Sequence, residues 1–322
     1  MTEPGAVSGR LSGRWGLSLA LQGAGAHGAF TWGVLDRLIE DGRFYFPHIT
    51  GVSSGAVNAA VMVSALQSTD PATARDRLRL LWRWVAERAP QPTLMDQFTG
   101  HRFLDFSPTM FGMDVLIRGM TPSWYGLNGY SPLLPIIDDL VQADLLSGTG
   151  LVIGAADAMT GELVLFQDET LTRDALLASA CVPFLSPPVT INGRPYVDGV
   201  YAANPPLTPL FERPPGVLLL VRLVPNERPM PPVHPLSLFD RLTEFGMTGV
   251  LHRDIDHLRE LGWTVVEVHA DETLADLPSS TKLAGGWFFL EDLHEQGRAA
   301  TALLLDQLAA AAADRAGAAP SP

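Results

Sequence analysis

FPHITGVSSGAVNAAVMVSAL, residues 46–66, is the stretch on which the reading of this chain turns. It begins as a short apolar strand ending near Thr50, passes through a turn at Gly51–Gly55, and continues as a helix to about Gln67. That helix is apolar nearly all round, as expected of one buried in the middle of a domain. Gly51-Val52-Ser53-Ser54-Gly55 fits G-x-S-x-G between a predicted strand and a predicted helix, the context that gives the motif meaning. Small flanking residues let a tight turn form, and the helix N-terminus directs free N–H groups at the serine. The register selects Ser53 over Ser54 as nucleophile. Alone, the pattern also arises by chance in many proteins, so it needs company.

Upstream, WGLSLALQ (15–22) reads as a buried strand that stops at Gly23-Ala24-Gly25-Ala26-His27-Gly28. Phe30, Val34, Leu35, Leu38 and Ile39 then recur at helical spacing, so strand, glycine turn and amphipathic helix open an α/β fold. Downstream, 74–88 reads as a helix with Arg75, Arg79 and Arg83 on one face and Trp82 beside them, either a solvated side or a contact with a phospholipid surface. Residues 90–130 mix Pro and Gly with Phe103, Phe106, Met110 and other large apolar side chains in weak periodicity, which reads as an insertion or lid. Within it Phe111, Met113 and Met120 are candidates to line an adaptable apolar groove, with core packing as the plain alternative. Two hairpins follow, at 151–167 and around Asn192-Gly193, then a buried strand near 217–224, a long helix, a strand and a closing helix. No linker divides the chain. The expected organisation is a loose segment over 1–14, one domain over 15–310 and a disordered Ala/Pro tail over 311–322.

The chain has 322 residues, 47% of them hydrophobic, enough for a large core. Its net charge of −13 makes nucleic acid a poor partner, and any membrane contact should be local and apolar, since anionic lipid would repel the chain on average. Cys181 is the single cysteine, which fits a reducing compartment and removes any cysteine-based zinc site. The N-terminus lacks a secretory h-region and no apolar run is long enough to span a bilayer, so a cytoplasmic protein is expected.

Gly23–Gly28 could be taken for the G-x-G-x-x-G of a dinucleotide site, but that site needs a carboxylate ending the second strand. Here the second strand is FPHIT and leads straight into the Ser53 turn. An oxyanion hole, with backbone N–H groups near Gly25 and Ala26 as donors, suits the context better. Tyr196-Val197-Asp198-Gly199 follows a hairpin; alone it is an ordinary turn, and its weight comes from standing with the other two motifs.

Taken together, LALQGAGAHGAFTWGVLDRLIEDG (19–42), GVSSGAVNAA (51–60) and ASACVPFLSPPVTINGRPYVDGVYAANPPLTPL (178–210) resemble the patatin-like phospholipase family. The resemblance implies an α/β three-layer sandwich, its central sheet mostly parallel with helices on both faces. It implies a Ser–Asp dyad without histidine, Ser53 attacking an ester carbonyl and Asp198 taking the proton. Donors at Gly23, Ala24, Gly25 and Ala26 would hold the oxyanion, with His27, Gly28, Gly51, Gly55 and Gly199 supporting the motifs. A lipid or other acyl ester is the implied substrate, with no metal or organic cofactor. Two departures stand out. Ala24 replaces a glycine, at a cost of roughly 1 kcal/mol if that position needs a positive φ. His27 stands where the family usually has Arg or Lys. Two other readings stay open: a Ser–His–Asp hydrolase completed by His252, His257 or His269, and an inactive lipid-binding relative.

Overall fold

The computed structural model describes residues 10–11, 13–68, 70–89, 131, 133–183, 186–228, 235–277 and 279–318. The lid expected over 90–130, with Phe111, Met113 and Met120, lies outside the described residues.

Eight strands form the central sheet: β3 (Ser18–Leu21), β5 (Ile49–Gly51), β6 (Leu151–Asp157), β7 (Leu163–Gln167), β8 (Val189–Ile191), β9 (Arg194–Asp198), β10 (Val217–Arg222) and β11 (Thr264–His269). β11, β10, β3, β5 and β6 run parallel, while β7, β8 and β9 add antiparallel pairs. A small separate sheet joins β1 (Arg10–Leu11), β2 (Arg14–Gly16) and β4 (Phe44–Tyr45). The segment expected to be loose thus contributes β1 and the first residue of β2, with β2 aligned on β4.

The parallel strands are buried on both faces, and alternation along them separates two cores. Leu19 and Leu21 of β3, with Val217, Leu219 and Val221 of β10, face the larger one. Ala20, Leu218 and Leu220 face the smaller one. Over the larger core lie α1 (Gly28–Asp41), α2 (Ser53–Ser68), α3 (Pro71–Arg88), α4 (Leu134–Leu140), α5 (Arg173–Ser179) and, after two further helices, α8 (Trp287–Ala318). Of those two, α6 (Pro235–Glu260) covers the other face through Leu251, Ile255 and Leu258, and α7 (Asp271–Leu274) follows β11. The result is the three-layer α/β arrangement.

Local signals set the element ends. Asp70 caps α3 by accepting from the Thr73 N–H at 3.0 Å, with Pro71 opening the helix. α8 continues to Ala318, so the expected tail is helical over its first eight residues, 311–318, as alanine's high helix propensity favours. Among the described residues no helix is long and apolar enough to cross a membrane, and no group of three or more His, Cys, Asp or Glu is placed to hold a metal ion.

The site is built at β6. β7 occupies one edge of that strand over Val152–Ala156, so β5 and β9 share the other. They run toward each other along it. Gly51, ending β5, is opposite Ile153; Asp198, ending β9, is opposite Ala155. The strand ends are thus two positions apart on β6, roughly 7 Å along the strand. Between them is Gly154, and a Cβ on Gly199 would run into its carbonyl oxygen, so the chain leaving β9 can turn there only as glycine.

Candidate active site

Just past the end of β5 the backbone turns sharply, and Ser53 takes φ +52°, a value side-chain-bearing residues seldom adopt. The turn is over-determined: Gly55 and Ala56 N–H groups return to the Val52 carbonyl at 2.9 and 3.2 Å. The Ser53 N–H donates to Ser179 Oγ at 3.1 Å, and Ser179 is fully buried on α5. With its backbone held this way, Ser53 donates through Oγ to Asp198 Oδ2 at 2.7 Å.

Asp198 is completely buried. Its Oδ1 accepts the Val200 N–H at 3.0 Å, and its own N–H donates to the Cys181 carbonyl at 2.9 Å. Burial pushes its pKa up to about 7, against the smaller lowering effect of the hydrogen bonds from Val200 and Ser53. A carboxylate of that strength is poised to exchange a proton with the serine hydroxyl near neutral pH. Cys181, at its back, is buried and its thiol is pushed up to about 12 by burial and the nearby aspartate, which keeps it a neutral thiol.

The glycine-rich segment after β3 lies alongside. Of its four expected donors, two are already engaged. The Gly23 N–H donates to Asn204 Oδ1 at 2.7 Å and the Ala24 N–H to Ser54 Oγ at 3.2 Å. The Gly25 and Ala26 N–H groups, and that of Ser54, have no hydrogen-bond partner among the described residues. These three residues and Ser53 line one cleft. The N–H groups left without a partner beside Ser53 are therefore those of Gly25 and Ala26, with that of Ser54 as a third that the sequence did not single out. Ala24 sits at φ −161°, extended backbone open to any residue, so it brings no strain. Gly25 is the demanding position: its φ is +56°, and a Cβ there would collide with the Lys282 carbonyl. Gly28 opens α1, Gly51 ends β5 and Gly55 lies in the first turn of α2.

Other residues hold this segment. Asn204 Nδ2 donates to the Gly23 carbonyl at 3.0 Å, and the Asn204 carbonyl accepts Gln22 Nε2 at 3.0 Å. Gln22 Oε1 in turn accepts the Leu223 and Val224 N–H groups at 2.7 and 2.9 Å. His27 is buried with Nε2 2.7 Å from Thr281 Oγ1. Burial, then the charges of Lys282 and Arg228, drive its pKa well below the usual histidine value, so it is neutral.

The cleft measures about 330 Å³. Val57, Leu81, Trp82 and Val85 form buried or half-buried apolar wall beside Ser53, with Trp84 and Arg88 farther out. Trp82 is fixed there by its indole N–H, which donates to Asn58 Oδ1 at 3.0 Å. The helix face considered for lipid contact is largely committed inward: Arg75 binds Asp36 at 2.5 Å and Arg83 stacks 4.4 Å from the Trp287 ring, leaving Arg79 exposed. The histidines of a triad are elsewhere. His257 packs edge-on to Phe211 and reaches Glu260 at 3.4 Å, His269 sits near Glu267 and Asp271, and His252 is exposed. Among the described residues none bonds Ser53 or Asp198.

A serine on a strand–helix elbow, opposite a buried aspartate and beside a loop of free N–H groups on an α/β sheet, defines the class of fold and site. The chain belongs to the patatin-like phospholipase family, whose model matches residues 19–211. That family is one of lipid acyl hydrolases. No protein of curated function matches it significantly. Among solved structures it is similar to VipD from Legionella pneumophila, at 13% identity and a TM-score of 0.36, covering 88% of this chain and 67% of that one. It is also similar to the type III effector ExoU, at 18% identity and a TM-score of 0.38, covering 90% of this chain and 53% of that one. A complex of ExoU with SpcU from Pseudomonas aeruginosa matches at 17% identity and a TM-score of 0.33, with 92% and 52% covered. The chain spans about half the length of ExoU.

Proposed function

We propose that this protein is a serine lipid acyl hydrolase working through an acyl-enzyme, with Ser53 as nucleophile and Asp198 as its general base. The observation that carries the reading is the 2.7 Å hydrogen bond from Ser53 Oγ to a fully buried carboxylate. As Oγ attacks the ester carbonyl, its proton passes to Asp198 Oδ2. Negative charge grows on the carbonyl oxygen, where the Gly25, Ala26 and Ser54 N–H groups are free to receive it. Collapse breaks the ester C–O bond, and the departing alkoxide takes the proton from Asp198. Water then attacks the acyl-serine, giving its proton to Asp198, and the acid leaves as Ser53 is regenerated.

The apolar wall of Val57, Leu81, Trp82 and Val85 supports a fatty-acyl chain as the group held beside the nucleophile. A protein acting on such chains meets them in lipid aggregates, so peripheral contact with a lipid surface is part of the proposal. None of these steps calls for a metal or organic cofactor.

The experiment is intact-mass analysis after exposure to a fluorophosphonate, with peptide mapping, on wild type and Asp198→Asn. One adduct at Ser53 that forms far more slowly in Asp198→Asn supports the dyad. An adduct forming at the same rate in both proteins, or none in folded wild type, would sink it.

A further inference from the structure

Helix α6 is inverted at one end. In its C-terminal half the inward side is apolar, with Leu251, Ile255 and Leu258 buried, and the outward side is charged, with Arg253, Asp256 and Arg259 in solvent. Around Arg241–Thr248 the polarity is reversed. Glu244 is buried there and receives Arg241 at 2.7 Å, Arg228 at 2.9 Å and Lys282 at 3.1 Å. Facing outward instead are Leu238, Leu242 and Phe245, 47%, 57% and 56% exposed. Their i, i+4, i+7 spacing makes one stripe, which the exposed Gly246 and Gly249 extend without adding charge.

Arg228 and Arg241 share this one carboxylate, which leaves positive charge in local excess behind the stripe, in a chain of net charge −13. Arg241 also stacks 4.7 Å from the Phe245 ring, so one cation belongs to the apolar face itself. An apolar helix face backed by excess cations complements an aggregate surface with acyl chains below and anionic headgroups above. It suits a second copy of the chain poorly, because two such clusters would face each other with like charge.

We infer that the N-terminal half of α6 is a docking face for anionic lipid surfaces, Leu242 and Phe245 entering the acyl boundary while Arg241 meets the headgroups. The choice of lipid as occupant rests on the acyl-hydrolase reading. Its place in the fold agrees with that reading. Lys282, bound to Glu244, belongs to the turn whose Thr281 bonds His27 and whose residues 282–284 line the cleft beside Ser53. One ion pair thus joins the docking face to the catalytic cleft.

The test is vesicle flotation with the full chain carrying Ser53→Ala, so that no lipid is consumed. Vesicles are phosphatidylcholine alone or mixed with phosphatidylglycerol. Binding is expected to the mixed vesicles, weakened about tenfold or more by Leu242→Asn with Phe245→Asn. Arg253→Gln, on the charged half of the same helix, should change it little. In a Ser53-containing background the double variant should hydrolyse a monomeric short-chain ester at the wild-type rate, which also reports that it folds. Undiminished flotation of the double variant overturns the inference. So does a wild-type dimer in size-exclusion light scattering that the double variant abolishes. Because flotation is read on Ser53→Ala, failure of the dyad and failure of the docking face are seen separately.

Discussion

The side-chain amide of Asn204 grips both polar groups of the Gly23 peptide backbone, accepting from the N–H at 2.7 Å and donating to the C=O at 3.0 Å. The two residues are 181 positions apart. Gly23 precedes the free donors of Gly25 and Ala26, so the amide sets where those donors begin. Asn204→Ala is expected to lower kcat on a soluble ester about 10- to 100-fold with KM little changed, the scale on which small misplacements act. Steady-state kinetics decide it, and an unchanged kcat would reduce Asn204 to an ordinary packing residue.

Neighbouring positions in the oxyanion segment should respond oppositely to substitution. Ala24 has ordinary extended backbone, so Ala24→Gly is expected to leave turnover within about twofold. Gly25→Ala combines a positive φ with a collision at the Lys282 carbonyl, and should lose on the order of a hundredfold or more. Fluorophosphonate labelling rates compare the two directly. A large gain from Ala24→Gly would show that the alanine does impair the site.

Asp198 ties activity and stability to pH in opposite senses. Its proton must be off for it to act as base, so kcat/KM should rise with pH through about 7 and level off above. In the unfolded chain the group returns to about 3.8, so between there and about 7 the folded protein holds a proton that the unfolded one has released. Its favourable contribution to stability is therefore full below about 3.8 and fades as pH rises through 7. Asp198→Asn should remove the pH limb along with the activity, yet raise Tm at pH 8 relative to wild type, with ~4 kcal/mol as an upper bound. A Tm that falls at pH 8 would contradict the burial argument.

Asp36 works the other way. Burial would raise its pKa, but hydrogen bonds from His294 and Arg75 and the charges of Arg75 and Arg298 outweigh it and hold the carboxyl well below the usual range. The stability it confers is present above its unfolded value and is lost as pH falls below it. Since these partners lie on α3 and α8, Asp36→Asn is expected to cost about 3 kcal/mol at pH 7. Urea denaturation at pH 7 and in acid would show the gap and its narrowing.

Much of this was legible because it is local. A strand, a small-residue turn and an apolar helix are written in consecutive residues around Ser53, and Asn192-Gly193 announces its hairpin with both residues at positive φ. What stayed hidden depends on distant packing. Nothing near Gly23 reveals that Asn204 takes its N–H, so the resemblance kept Gly23 and Ala24 beside Gly25 and Ala26 as donors. The alanines after 310 looked like a tail, though the same composition extends a helix once the preceding turns are anchored. For α6, Leu238, Leu242 and Phe245 have the spacing of a buried face, and periodicity alone does not say which side of a helix meets the core.

Both strands that deliver Ser53 and Asp198 end on the same edge of β6, two of its residues apart. Their separation is set by the pitch of a backbone, and no hinge lies between them. Such a pair does not wait to be put together: the Ser53–Asp198 bond is already made in the protein without substrate. Under the proposed dyad, control falls on admission of an ester to the cleft and on the proton held by Asp198, since no assembly of the pair is needed.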